Sequence, residues 1–223
     1  MMNDKLRVSM FDAKISNEDL NKMALAQFPG RIVIIDTADK AEEALARLKS
    51  EKIVGIDTET RPSFKRGVVY KVSLMQIATE DTAYLFRLNK IGFPEKLLGL
   101  LANKDLVKVG LSLHDDFNGL SKQRKDFKPA GFVDIQSIAK EYGIMELSLQ
   151  KIYALIFGEK ISKAQRLSNW ERVELTPQQQ MYAATDAWAT LMIYKKLRKE
   201  KKLSKKEQVE LQILDREGKL NAN

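Results

Sequence analysis

The chain has 223 residues, 44% hydrophobic and 30% charged, with a formal charge of +8. At that size and composition it buries roughly 70% of its unfolded surface, which excludes a disordered chain and favours one generous domain over two. It holds no cysteine and a single histidine, His114; thiolate catalysis, disulfides, iron–sulfur clusters and multi-histidine metal sites are excluded, and a metal would need oxygen ligands, which favours Mg²⁺, Mn²⁺ or Ca²⁺.

In chain order, residues 1–30 read as an arm with a short helix near Asn17 to Ala26. Asp4, Asp12, Glu18 and Asp19 interrupt the apolar stretch that a signal peptide needs, and no run approaches the roughly 20 apolar residues of a membrane span. A cytoplasmic protein without a membrane partner is therefore expected. Arg31 to Ile35 (RIVII) is short and β-branched, followed by Thr37 and Asp39 as candidate caps and the helical run Ala41 to Leu48. Ile53 to Ile56, Val68 to Ala78 and Thr82 to Phe86 predict three adjacent antiparallel strands, with a turn at Glu80 and Asp81. A helix from Pro94 to Ala102 leads to a short strand, Leu106 to Leu111, and a helix from His114 to Lys125.

Beyond Pro129 the patterns are mostly helical: Ile135 to Tyr142, Leu149 to Phe157, and a long helix that Thr176 caps and Pro177 opens, running to about Arg198. Strands gathered in the first half and helices in the second predict an α/β fold with a mixed sheet. No linker or repeat divides residues 31–200, which read as one domain. Residues 195–223 carry ten Lys or Arg against five Asp or Glu, a net of +5. The segment 201–223 is thus expected as a basic tail that frays.

Three places hold acids that one site could use. Asp57-Thr58-Glu59 follows an apolar strand; in extended geometry both carboxylates project to one face, their α-carbons roughly 6.6 Å apart. Such a pair arises by chance about four times in a chain with 30 acids, so spacing alone decides nothing. Asp115-Asp116 opens a predicted helix, where carboxylates also serve as caps. Tyr182 and Asp186 share a helix face, and Asp186 lies amid Ala183, Ala184, Ala187 and Ala189, a costly place for an unpaired charge. Two divalent ions held by such acids would activate water and stabilise the leaving oxygen in phosphodiester hydrolysis.

Three segments carry a family resemblance: VGIDTET at Val54 to Thr60, KVGLSLHDDFNGL at Lys108 to Leu120, and LTPQQQMYAATDAWATLMIY at Leu175 to Tyr194. In this order they resemble the 3′-5′ exonucleases of the DEDD superfamily, which includes ribonuclease D and Werner-type exonuclease domains. RIVIIDT, LMQI at Leu74 to Ile77, and LSNW at Leu167 to Trp170 extend the likeness over about residues 15–200. The resemblance implies a ribonuclease-H-like fold and a 3′-5′ exonuclease that releases nucleoside 5′-monophosphates from a DNA or RNA 3′ end. It further implies two Mg²⁺ or Mn²⁺ ions held by Asp57, Glu59, Asp116 and Asp186. Asp116 is taken over Asp115 because its distance from Lys108 and Gly110 fits the second motif. One branch of the superfamily has a histidine five residues before the last aspartate; Met181 stands there, so Tyr182 places the chain in the tyrosine branch, where the phenol orients the attacking water.

Arg61, Lys65 and Arg66 follow the first motif and either meet phosphates of an incoming strand or remain solvated loop charges. Phe64 between them either stacks a base or anchors the loop. Lys163, Arg166, Ser168 and Asn169 precede the last helix, at the end where the resemblance puts substrate. Trp170 and Trp188 read as core, His114 as an exposed helix start, and Gln76 as equally suited to backbone groups or substrate. Ribonuclease D carries additional helical nucleic-acid-binding domains behind its catalytic region. The roughly 25 residues after the last predicted helix are too few for one, so weak, salt-sensitive binding is expected. The rival reading is a catalytically silent nucleic-acid-binding module of the same fold.

Overall fold

β-Branched and aromatic residues dominate the six segments that form the sheet, as a pleated and half-buried surface requires. The computed structural model describes residues 10–220; the first nine residues of the expected arm and the last three of the expected tail lie outside them. In chain order the elements are α1 (Asn17–Lys22), β1 (Arg31–Ile35), α2 (Ala38–Leu48), β2 (Ile53–Thr60), β3 (Val72–Ala78), β4 (Thr82–Phe86), α3 (Leu88–Ile91), α4 (Glu95–Ala102), β5 (Val107–Gly110), α5 (Leu113–Gln123), β6 (Phe132–Asp134), α6 (Ile135–Lys140), α7 (Leu149–Phe157), α8 (Pro177–Leu197) and α9 (Lys205–Arg216).

By the contacts within it the chain divides into two compact units, each made of separated segments. One comprises Gln27–Asp134 with Ser162–Met192 and contains the whole sheet, in the order β1-β4-β3-β2-β5-β6. Strand β3 runs antiparallel to β2 and β4; the other neighbours pair in parallel. The three antiparallel strands expected from the sequence are present, and β1 adds to their outer edge. The mixed α/β sheet is likewise as expected.

Alternation along the strands sorts the side chains into two layers. Val54, Ile56, Met75, Ile77, Tyr84 and Phe86 face α2, α4 and α5, whose Leu45, Leu97, Leu101 and Leu120 complete the larger core. Leu74 and Leu85 point the other way and pack with Trp170, Leu175, Tyr182 and Ala183 at the start of α8. Glycine is needed at position 55, because a Cβ there would stand 1.8 Å from the backbone oxygen of Ala187. The alanines of α8 and this bare strand position together let helix and sheet backbones meet closely.

Strand β2 outruns its parallel neighbour. Its register with β5 ends at Gly55, whereas its register with β3 continues to Thr60. Beyond Gly110 the chain turns through Ser112, a non-glycine residue in left-handed conformation (φ 59°), into α5. Ser112 gives no side-chain cap; the Asp134 carboxylate at the end of β6 accepts the Leu113 N–H at 2.9 Å instead. Beyond Pro129 the chain is mostly helical, as expected, with the three-residue β6 as the one strand among the described residues.

Among the described residues the second unit comprises 10–26, Ile135–Ile161 and 193–220. Ile15 and Leu20 pack on Ala154 of α7, and Lys151 reaches the Ile15 carbonyl at 3.0 Å. Of the segment 201–223 expected to fray, Lys205–Arg216 instead forms α9. Ser204 and Glu207 form a capping box at its start, and the Leu203 N–H donates to the Glu141 carbonyl at 2.8 Å. Among the described residues no helix is long and apolar enough to cross a membrane.

Candidate active site

Asp57 and Glu59 stand two residues apart on β2, so the pleat sends both carboxylates to the face that α8 covers. Asp186 meets them from α8. One carboxylate oxygen from each of the three lies within 4.8 Å of the others. Glu59 and Asp186 are only 8% and 7% exposed. The close approach at Gly55, two residues before Asp57 and against Ala187, next to Asp186, is what lowers the helix onto the pair. A register shift between Glu59 and Thr60 bends the strand at the end of the cluster.

Asp116 arrives from the other layer. Thr58, between the two strand acids, points to the opposite face, and its hydroxyl donates to the Asp116 carboxylate. Asp115 is exposed while Asp116 is half-buried, which separates the two neighbours. The structure thus brings three of the four expected acids into one cluster and holds the fourth at its flank through Thr58.

Burial is the first cause that pushes the Asp57 carboxyl well above its ordinary value, and repulsion from Asp116 and Asp186 adds to it. Burial followed by repulsion from Asp57, Asp186 and Asp116 raises Glu59 in the same way. Asp116 is raised by burial, opposed by the Thr58 hydrogen bond, with Asp115 and Asp134 as further like charges. Asp186 is raised by burial and relieved in part by the Tyr182 phenol and the positive charge of Lys163. Tyr182 is 8% exposed and hydrogen-bonds Asp186. Its burial and the surrounding anions, Asp186 and Glu59 foremost, hold the phenol firmly protonated.

Such an arrangement repels itself until a cation arrives. Its donors are hard carboxylate oxygens from fixed strand and helix positions, a set that fits a hard divalent cation and offers nothing to a soft metal. Asp57, Glu59 and Asp186 could hold such an ion, with Asp116 beside them.

The expected substrate residues occupy two loops. Arg61 is engaged already: its guanidinium lies 4.8 Å from the Tyr70 ring centroid and 3.3 Å from the Glu171 carboxylate. Phe64 is 84% exposed, with Lys65 and Arg66 also exposed beside it. Lys163 and Arg166 are exposed, and Lys163 acts electrostatically on Asp186. The Ser168 hydroxyl donates to Gln165 at 2.6 Å, and the Asn169 side chain accepts the Glu171 N–H at 3.1 Å. Trp170 and Trp188 are buried and His114 is exposed, as the sequence suggests. Sequence reasoning missed Thr58 and Asp134. Thr58 had a usable signal, since alternation puts the residue between two inward acids on the opposite face. Asp134 had none, because three residues of strand leave no periodicity to read.

A family model described as 3′-5′ exonuclease matches residues 32–202. The mouse bifunctional 3′-5′ exonuclease/ATP-dependent helicase WRN is 33% identical over 187 residues, 79% of this chain and 13% of that protein. A 3′-5′ exonuclease of Arabidopsis thaliana is 33% identical over 194 residues, 77% of this chain and 65% of its own length. Ribonuclease D of Gluconacetobacter diazotrophicus is 29% identical over 200 residues, 88% of this chain and 46% of that one. The chain thus matches less than two thirds of the length of each. Among solved structures, Trypanosoma brucei RNase D in complex with RNA U12 superposes with a TM-score of 0.70 at 19% identity, covering 88% of this chain and 72% of that one. The Aedes aegypti Nibbler EXO domain gives 0.66 at 22% identity, covering 85% and 95%. At these identities the structures show a shared fold, the ribonuclease-H-like sheet of RNase D-type domains.

Proposed function

The chain belongs to the 3′-5′ exonuclease family, and from that premise we propose that it hydrolyses nucleic acid from a free 3′ end and releases nucleoside 5′-monophosphates. The carrying observation is the convergence of Asp57, Glu59 and Asp186 within 4.8 Å. Residues 31–200 form the exonuclease domain in this reading, close to the matched span of 32–202. Asp57, Glu59, Asp116 and Asp186 would hold two Mg²⁺ or Mn²⁺ ions, whose charge, when bound, would activate water and stabilise the leaving oxygen. Tyr182 stays protonated and orients the attacking water from beside Asp186; a phenol so raised is no base at neutral pH. Water adds to the terminal phosphorus, the bond to the 3′ oxygen breaks, and that oxygen takes up a proton. Lys163 and Arg166 from one loop, and Arg61 and Arg66 from the other, meet the phosphates, with Phe64 against a base and Ser168 and Asn169 lining the approach. Arg61 must exchange Glu171 for phosphate.

The test is to incubate the protein with 3′-labelled single-stranded DNA, recessed duplex DNA and RNA, with Mg²⁺, with Mn²⁺ and with chelator. Metal-dependent shortening of at least one substrate is expected, and its absence on all three overturns the proposal. The silent binding module has a separate signature. It has no electrostatic reason to keep mutually repelling carboxylates, and it would not melt higher with Mn²⁺ as a metal-binding site must by mass action.

A further inference from the structure

Gln76 lies at the middle of β3 and is 0% exposed, yet neither its amide nitrogen nor its amide oxygen has a hydrogen-bond partner. A buried carboxamide without partners is costly, and structures keep few of them without reason. Its position supplies the reason. In the antiparallel ladder Gln76 is the direct register partner of Asp57, and directly opposed residues send their side chains to the same face with Cβ atoms roughly 4.5–5.5 Å apart. Leu85, its partner on the other side, and Leu74, two residues before it, pack in the apolar cluster with Trp170, Tyr182 and Ala183. Leu74, Leu85 and Ala183 offer the amide nothing; the Trp170 indole N–H, also without a partner, can serve only its oxygen, and the Tyr182 phenol is bonded to Asp186, so the acceptor that the amide nitrogen faces across the ladder is the Asp57 carboxylate.

We propose that Gln76 is a positioning residue: when Asp57 holds a cation, the Gln76 side-chain N–H donates to the Asp57 carboxylate and fixes which oxygen faces the cluster. This rests on the nuclease reading and deepens it. A carboxylate that holds a metal is itself normally hydrogen-bonded, and such partners govern affinity as well as orientation. β2 provides Asp57 with the Thr58 backbone N–H alone, because the Thr58 side chain is turned away toward Asp116. Gln76 remains the unengaged neutral side-chain donor on the correct face.

Two apolar replacements of similar length, Gln76→Leu and Gln76→Met, test the assignment. Without metal both should melt no lower than wild type, since each removes an unpaired buried amide. Their Mn²⁺ dissociation constant by calorimetry should rise roughly 10- to 100-fold. The kcat on a 3′-labelled oligonucleotide should fall by a similar factor with KM unchanged, because the oligonucleotide does not touch this residue. In wild type labelled with ¹⁵N-glutamine, the Gln76 side-chain amide resonances should move on titration with Mg²⁺. Unchanged Mn²⁺ affinity and kcat in either folded variant would overturn the proposal. So would stationary amide resonances, a measurement that needs no variant to fold. Wild type that neither binds metal nor shortens any substrate brings down the nuclease reading itself, an outcome distinct from a normal wild type with indifferent Gln76 variants.

Discussion

Asp186 sits in a helix face of alanines with two other carboxylates within 4.8 Å, so its charge is tolerable only if protonated or balanced by a cation. That choice makes stability depend on pH. In the unfolded chain an aspartate titrates near 3.8, whereas in the folded protein Asp116 is raised to about 6 and Asp186 to about 7, burial being the first cause for both. Between those values the metal-free folded state holds more protons than the unfolded state, so its stability falls as pH rises across the window. The melting temperature of chelated protein should therefore decline between about pH 5 and pH 7.5, and Asp186→Asn should flatten the decline. A melting temperature that climbs over that range would contradict the buried-cluster account. The same residues set the activity. Asp57→Asn and Asp186→Asn should each reduce metal-dependent shortening by more than about 100-fold, beyond the effect of losing a mere supporting hydrogen bond. Tyr182→Phe should slow it by roughly 10- to 100-fold, because the phenol places the attacking water. Equal rates for Tyr182→Phe and wild type would remove that role.

Among the elements, β2 and α8 matter most, and their meeting at Gly55 fixes the distance between Asp57 and Asp186. Gly55→Ala would set a methyl 1.8 Å from the Ala187 oxygen, a backbone atom that cannot step aside alone. Overpacking of this kind costs about 1–3 kcal/mol, which lowers the melting temperature by about 2–12 °C in a chain of this size. The helix must also move off the strand, so Mn²⁺ affinity should weaken with it; an unchanged melting curve would show that the contact is slack. The glycine is visible in the motif VGIDTET, but the need for it is not, because a helix more than a hundred residues away creates it. Legibility follows that division. Strands β2 to β4 and the turn at Glu80 and Asp81 were readable, since alternating side chains and short polar connections act locally. The Asp57 and Glu59 pair and the Tyr182 and Asp186 pair were readable as spacings. Their convergence rested on resemblance, since pairing across β2 and α8 leaves no local trace. The bond from Thr58 to Asp116 and the cap from Asp134 are non-local in the same sense. Helix α9 was missed for another reason: a lysine-rich run suggests a solvated tail, although Ser204 and Glu207 at capping-box spacing marked its start.

For the whole molecule, charge decides how a substrate is held. The total is +8, of which residues 195–223 carry +5, while the buried cluster near the chemistry is strongly anionic until loaded. Attraction of a polyanion must therefore come from lysines and arginines away from the carboxylates, and binding through exposed basic groups is screened by salt. If about seven phosphates are neutralised, four by the loop residues and three by the basic segment, affinity for an oligonucleotide should fall roughly 900- to 6,000-fold between about 50 and 200 mM salt. Lys201, Lys205 and Lys206 are exposed at and before the start of α9. Replacing all three by Gln should reduce the slope of log affinity against log salt by about 2, at roughly 0.7–0.9 per phosphate contact. It should leave kcat at saturating substrate unchanged, because none of the three belongs to the carboxylate cluster. Arg166→Gln, by contrast, should lower the slope by about one contact and also raise KM at low salt, where the other lysines still capture the strand. The measurement is a salt titration of fluorescence anisotropy with a labelled single strand, in Ca²⁺ so that cleavage does not intervene. A slope unchanged by the triple substitution would assign the electrostatic grip to the loops beside the acids and leave the basic segment without a part in binding.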